Sequence, residues 1–309
     1  MKINSVAVIG VGAVGCLYSA RLSQYLGKEH VQILATGERL RRYKKEGFFL
    51  NGEKVDFNYV DAQKATEADL VILATKNLQL EEAIDTIKQC VGENTTIMSL
   101  LNGTESEEAL QKTYGEKKVL YSFAVGLSSK HEGNRIQFDS SGRIVFGEKD
   151  NRKTERILAI ETLFNNSGIT CNVPADIRLE LWKKFMLNTS FNTLSAITSS
   201  HYGDFGNESI QTLVRMSSQE VIAVANAQGI ALTEQMVEDN LKTISSLNSE
   251  GMTSMFQDMA ASRKTENDWF CGTVVKLGKR YHINTPVCQI LSLLVKSCEA
   301  SRQRALERQ

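Results

Sequence analysis

Proline is almost missing from this chain: two residues in 309, Pro174 and Pro286. That scarcity excludes Pro-rich linkers and leaves room for long helices and regular strands. An excess of either charge is missing too, because 36 Lys and Arg balance 36 Asp and Glu, with a sequence pI near 6.9. A nucleic-acid partner would call for a basic stripe interleaved with aromatics, and a disordered tail for a run of one sign. No apolar run approaches the roughly 18 residues that span a bilayer, so no membrane segment is expected. The six cysteines (Cys16, Cys90, Cys171, Cys271, Cys288 and Cys298) are scattered without a C-x-x-C pair, as reduced thiols of a cytoplasmic protein would be. The four histidines (His30, His131, His201 and His282) form neither H-x-x-x-H nor H-E-x-x-H, so no metal site is expected.

The length suggests two domains at roughly 150 residues each. Hydrophobic residues at 42% suffice for buried cores without a disulfide or metal staple. The opening residues run straight into Val6-Ala7-Val8-Ile9, which reads as a strand and not as the apolar region of a signal peptide. Further β-branched runs at Val31–Leu34, Leu70–Ala74, Thr95–Leu100 and Val119–Val125 alternate with helical stretches at Ala13–Leu26, Leu78–Cys90 and Ser106–Tyr114. Strand and helix at this spacing predict a parallel sheet with crossover helices. Arg135–Asp139 and Arg143–Phe146 flank Ser140-Ser141-Gly142 and read as a hairpin, followed by a helix near Thr154–Asn165 and a strand near Ile169–Asn172. After Pro174 the strand signal ends. Ala175–Thr198, Glu208–Gln228, Thr233–Leu247, an interrupted Ser254–Arg280 and Pro286–Glu307 carry helical periodicity. The expected fold is therefore α/β, a Rossmann-type dinucleotide-binding domain over residues 1–173 followed by an all-α domain over 174–309.

Gly10-Val11-Gly12-Ala13-Val14-Gly15 is G-x-G-x-x-G directly after a strand and opening a helix. The first glycine permits a tight turn, the second a close approach of backbone to pyrophosphate, the third close packing of helix on strand. The helix N-terminus then offers free N–H groups to phosphate. The end of the second strand selects the cofactor, since an acid there suits the ribose of NAD and a base the 2′-phosphate of NADP. The segment reads Ala35-Thr36-Gly37-Glu38-Arg39, with no acid at the strand end itself. NADPH through Arg39, with a Thr36 hydroxyl nearby, is the favoured reading, and NADH the alternative. Lys76 and Asn102-Gly103 follow the third and fourth predicted strands, at the end of the sheet where ligands bind. A surface lysine and an Asn-Gly turn are the plain readings of the same residues.

In the helical half, Lys184, Asn188 and Asn192 recur at i, i+4 and i+8 among Leu181, Phe185, Met186, Leu187 and Phe191. An amine and two amides on one face of an apolar helix need partners. They line a polar cleft between the sheet edge and the helical domain, cap a domain interface, or face solvent. In a cleft, the lysine could protonate a carbonyl oxygen while hydride arrives at carbon. Ser254 followed by Gln257 has the pattern of a capping box. Glu266 sits in a charged stretch, normally a surface setting. The apolar face within Ile290–Val295 fits either core or the seam of a homodimer.

The ordered series resembles the 2-dehydropantoate 2-reductase (ketopantoate reductase) family over nearly the whole length. It comprises Gly10–Gly15, Thr75-Lys76, Asn102-Gly103, Gly147-Glu148, Leu181-Trp182-Lys183-Lys184-Phe185 with Asn188 and Asn192, Ser254-Met255-Phe256-Gln257-Asp258, Thr265-Glu266 and Ile283-Asn284-Thr285-Pro286. The resemblance implies an NADPH-binding Rossmann domain and a helical C-terminal domain. It implies Lys184 as general acid, Asn188, Asn192 and Ser254 as substrate contacts, Lys76 and Asn102 beside the cofactor, and Glu266 where cofactor and substrate meet. The implied reaction reduces ketopantoate to pantoate for pantothenate and coenzyme A synthesis. Three positions depart from the family: Thr36 where many members carry arginine, Asn102-Gly103-Thr104-Glu105 in place of N-G-x-G, and Tyr202 where an asparagine is often found. The alternatives are a related reductase acting on another 2-keto or β-hydroxy acid, and a nucleotide-binding sensor without turnover.

Overall fold

The computed structural model describes residues 2–308, which divide into two compact units after Arg178. The last strand ends at Asn172 and the next helix begins at Ile177. The unit division itself lies just inside the helix that follows.

The first unit contains β1 (Val6–Ile9), α1 (Ala13–Leu26), β2 (Val31–Ala35), α2 (Gly37–Glu46), β3 (Phe48–Leu50), β4 (Glu53–Val55) and β5 (Asn58–Asp61). It continues with β6 (Leu70–Leu73), α3 (Leu80–Thr86), β7 (Thr96–Ser99), α4 (Ser106–Tyr114), β8 (Val119–Glu132), β9 (Arg135–Gly147), α5 (Glu155–Asn166) and β10 (Cys171–Asn172). Six strands run parallel in the order β5-β2-β1-β6-β7-β8. This is the Rossmann arrangement, with its reversal of strand order beside β1. Alternate residues of these strands feed two cores: Val6, Val8, Ile33 and Ile72 one face, Ala7, Ile9, Leu34 and Val71 the other. Burial on both faces explains why the strands read as continuous apolar runs.

β8 continues past the parallel sheet and pairs antiparallel with β9, which also carries β3 and β10. The hairpin expected at Ser140-Ser141-Gly142 is instead one unbroken strand, and the reversal lies at Gly133-Asn134. Gly142 has φ +58°, and a Cβ there would lie 2.5 Å from the Val125 carbonyl oxygen. The glycine serves a bend in a long ladder and not its end.

The second unit is helical. α6 (Ile177–Leu187) enters it from the first and passes into a π-helical turn, Asn188–Asn192, and then α7 (Thr193–Thr198). After these come α8 (Glu208–Asn226), α9 (Glu234–Ser245), α10 (Ser254–Ala260), α11 (Cys271–Tyr281) and α12 (Pro286–Leu306). Phe185, Phe191, Phe205 and Phe270 are fully buried at its centre. Glu220 on α8 accepts the Val287 and Cys288 N–H groups at 2.7 and 2.8 Å, closing the N-terminus of α12 with a buried carboxylate. On α12, Leu291 and Val295 enter the core while Ile290, Leu293 and Leu294 are exposed. No helix among the described residues is long and apolar enough to cross a membrane.

Candidate active site

The glycine loop joins β1 to α1. Gly10 has φ +93°, and a Cβ there would fall 2.6 Å from the Ala74 carbonyl carbon. At Gly15 a Cβ would lie 1.8 Å from the Gly10 carbonyl oxygen. Both glycines are demanded by close approach of backbone to backbone. Gly12 differs: a Cβ there would meet nothing within 4 Å. It is also the N-cap of α1, with no side chain bonded to the helix start and no acid in the first turn. The protein itself leaves this space open and these N–H groups uncapped, so the loop Gly10, Val11, Gly12, Ala13, Val14, Gly15 fits a dinucleotide pyrophosphate. Tyr43 from α2 backs the loop. Burial raises its hydroxyl pKa, opposed by Arg39, Arg42 and a hydrogen bond from the Val11 backbone.

Thr36 is the N-cap of α2 but makes no side-chain cap bond, and its hydroxyl lies on an exposed residue. Arg39 is partly exposed and pairs with Glu82 at 3.1 Å, while Glu38 pairs with Arg41. A basic group therefore stands near the end of β2, and the acid of this segment is engaged by its own helix.

Lys76 follows β6 and is exposed. Its neighbour Asn77 is buried and donates from Nδ2 to the Asn102 carbonyl at 2.8 Å, tying the loop after β6 to the loop after β7. The Ser99 hydroxyl donates to Ser106 at 2.7 Å, and Ser106 donates to the buried Glu107 carboxylate at 3.0 Å. These bonds hold together the two ends of the loop that carries Asn102. Sequence reasoning missed Asn77, Ser99 and Ser106. The adjacency of Asn77 to Lys76 was the available signal.

In the helical unit, the solvated-face reading of the polar stripe does not hold: Asn188 and Asn192 are buried, and Lys184 is half-buried. Asn188 and Asn192 bound the π-helical turn. Asn192 donates from Nδ2 to the Ser254 hydroxyl at 3.3 Å, so two residues 62 positions apart form one polar patch. The expected capping box at Ser254 is also replaced. Thr253 is the N-cap, accepting the Phe256 N–H at 3.2 Å, and Ser254 is the first helical residue, with an exposed side chain. The extended backbone that an N-cap requires falls one residue earlier, and that frees the Ser254 hydroxyl. Glu266 is buried on a separate turn. That turn is anchored to α12 by Thr265 donating to Glu299 at 2.6 Å and Asn267 donating to Ser292 at 3.0 Å. An amine, two amides and a hydroxyl with this burial suit a small anionic substrate bearing carbonyl and hydroxyl oxygens.

Two family models match the chain. One, described as ketopantoate reductase PanE/ApbA, covers residues 6–151, and the other, its C-terminal counterpart, covers residues 176–299. A 2-dehydropantoate 2-reductase of Streptococcus pyogenes serotype M3 is 25% identical over 301 residues, covering 96% of this chain and 98% of its own. The solved 2-dehydropantoate 2-reductase of Geobacter metallireducens superposes with a TM-score of 0.84 at 28% identity, covering 95% of this chain and 99% of that one. A D-mandelate dehydrogenase solved with NADH and anilino(oxo)acetate shares the fold, with a TM-score of 0.86 at 23% identity over 96% of this chain and 99% of its own.

Proposed function

The chain belongs to the ketopantoate reductase family, and from that membership we propose that it reduces 2-dehydropantoate to pantoate with NADPH. The observation that carries this reading is the contact between Ser254 of α10 and Asn192, which lies on the same chain segment as Lys184 and Asn188. The glycine loop Gly10–Gly15 would hold the nicotinamide cofactor, and the chemistry it would supply there is hydride donation to a keto carbon. Lys184 donates a proton from its ammonium group to the carbonyl oxygen as the C–H bond forms, and regains one from solvent. Asn188, Asn192 and Ser254 orient the carboxylate and hydroxyl of the substrate. Glu266 would orient the substrate. Lys76 and Asn102, on the loops after β6 and β7, would hold the cofactor, and Arg39 would take its 2′-phosphate. A family reductase acting on a different 2-keto or β-hydroxy acid is the second reading. Tyr202 supports it, because its hydroxyl spends its one proton on the Met252 carbonyl at 3.2 Å and so cannot also donate to a substrate as an asparagine amide there could.

Steady-state rates with NADPH and NADH against ketopantoate and a panel of other 2-keto acids test the proposal. Ketopantoate-dependent oxidation of NADPH is expected. Turnover confined to another keto acid moves the assignment to the second reading, and cofactor affinity without turnover on any of them removes the catalytic reading.

A further inference from the structure

Ser254 stands at the exposed start of α10, where the N-cap bond is made by its neighbour Thr253. The placement of its hydroxyl therefore depends on the irregular segment 248–252 that precedes it. Three carbonyls of that segment are taken by one short strap beyond α7. The Tyr202 N–H donates to the Gly251 carbonyl at 2.9 Å, and the Gly203 N–H to that of Ser249 at 3.0 Å. The Tyr202 hydroxyl donates to the Met252 carbonyl at 3.2 Å. A Cβ on Gly251 would lie 2.5 Å from the Tyr202 ring, so backbone and ring are in direct contact there.

The strap is itself held. Ser195 donates to the Ser200 carbonyl at 2.6 Å, and the Thr198 and Ser200 hydroxyls meet at 2.7 Å. Phe205 is buried against Phe191, with ring centroids 5.0 Å apart. The His201 ring packs edge-on against Phe256 of α10 at 5.3 Å. The path closes on itself: from Asn192 through α7 to the strap, across to segment 248–252, into Ser254, and back to Asn192 through the 3.3 Å bond.

We propose that Tyr202 is a positioning residue that sets the Ser254 hydroxyl opposite Asn192, and through it the capture of substrate. The proposal rests on Ser254 being a substrate contact. The ring carries most of the effect. Met252 keeps a second donor, Gln257 Nε2 at 3.3 Å, when the tyrosine hydroxyl is removed.

The test uses the full-length protein with NADPH and ketopantoate, in Tyr202→Ala, Tyr202→Phe, Ser254→Ala and the Tyr202→Ala/Ser254→Ala double variant. Amide hydrogen exchange is followed in parallel over residues 248–257. Tyr202→Ala is expected to raise KM about five- to tenfold, the worth of one well-placed polar contact, with kcat changed less than about twofold. Tyr202→Phe should stay within about twofold of the parent KM, as the second donor to Met252 implies. In the Ser254→Ala background, Tyr202→Ala should add less than about twofold, because interacting positions are not additive. Exchange over 248–257 should quicken about tenfold in Tyr202→Ala while α11 and α12 stay protected. Where Tyr202→Ala melts globally, Tyr202→Leu, which keeps apolar bulk, replaces it. Unchanged exchange over 248–257, or KM effects that add in full, overturn the proposal. Quickened exchange with no KM effect in Ser254→Ala would instead remove the substrate role of Ser254 and leave the brace standing. Should ketopantoate not turn over, the exchange result alone decides the positioning role.

Discussion

Replacing Gly12 and Gly15 by alanine should separate cofactor binding from folding, because the two glycines stand in opposite surroundings. Gly12 has φ −80° and ψ −164°, extended backbone that any residue adopts, and an added methyl would meet no atom within 4 Å. Its stability cost is that of alanine at a helix N-cap, about 1 kcal/mol or less. The methyl would instead occupy the space through which a pyrophosphate reaches the first N–H groups of α1. Two charge-assisted hydrogen bonds lost there, at about 1.5 kcal/mol each, weaken NADPH binding roughly 100-fold. At Gly15 the added methyl would fall 1.8 Å from the Gly10 carbonyl oxygen and 3.2 Å from the Ala74 Cβ. Neither backbone nor a short alanine can turn aside, so α1 must lift from β1, at a cost of about 3 kcal/mol. Thermal denaturation and calorimetric titration with NADPH read the two effects. The expected result is a Gly12→Ala protein that melts within a few degrees of the parent but hardly binds, and a Gly15→Ala protein that melts far below it. A Gly12→Ala protein that binds NADPH as tightly as the parent would refute the assignment of this loop to the pyrophosphate.

Three further outcomes are expected. Lys184→Ala should lower kcat by about 10²- to 10⁴-fold with NADPH affinity unchanged, and full turnover in that variant would remove the proposed proton donor. Arg39→Ala should weaken NADPH about tenfold while leaving NADH affinity in place, since the native Arg39–Glu82 pair is partly exposed and worth at most about 1 kcal/mol; equal losses for both cofactors would speak against a 2′-phosphate contact. Burial raises the Glu148 carboxyl pKa, but the Arg156 fork at 2.7 and 2.5 Å and the Thr154 hydroxyl at 2.7 Å outweigh it and leave the pKa below its ordinary value. Its contribution to stability is thus complete above the unfolded pKa of about 4.3 and is lost as pH falls through the lower folded value. Urea unfolding should show Arg156→Met destabilised by about 3 kcal/mol at pH 7, and Glu148→Gln with a shallower acid-side loss than the parent.

Legibility in the sequence followed the range of the interactions involved. The glycine loop, the buried parallel strands and the helical second half rest on residues adjacent in the chain or at one period, and they were readable. β3, β4 and β5 were not. They are three or four residues long and mostly half-buried, so no alternation develops along them. The one signal present was Asn51-Gly52 between apolar Phe48-Phe49-Leu50 and Glu53-Lys54-Val55, a dipeptide that favours a two-residue hairpin. The turn of the β8–β9 hairpin was misplaced because three small residues at 140–142 outweighed Gly133-Asn134. Only the partner strand distinguishes a bend from a reversal. Choosing Thr253 over Ser254 as N-cap likewise depends on backbone angles that two adjacent hydroxyl residues do not reveal.

The polar stripe of the second unit shows why a pattern can be correct while the geometry behind it differs. In an α-helix every fourth residue falls about 40° past a full turn, so Asn192 would stand well around the helix from Lys184. An i→i+5 turn holds more residues per revolution and winds each through a smaller angle. Placing that turn over Asn188–Asn192 takes back part of the drift and brings Asn192 toward the line of the lysine. Local sequence does not select such a turn, because its ladder is poorer than that of the α-helix. Packing selects it: Thr189, Ser190, Phe191 and Thr193 are fully buried, Ser190 meets Ser218 of α8 at 2.9 Å, and Cys271 of α11 donates to the Thr189 carbonyl at 3.8 Å. The alignment of the polar groups is therefore a property of α8 and α11 as much as of the helix that carries them. Substitutions at Ser218 or Cys271, neither among the polar residues assigned to substrate, should therefore shift Asn192 against Lys184 without touching either.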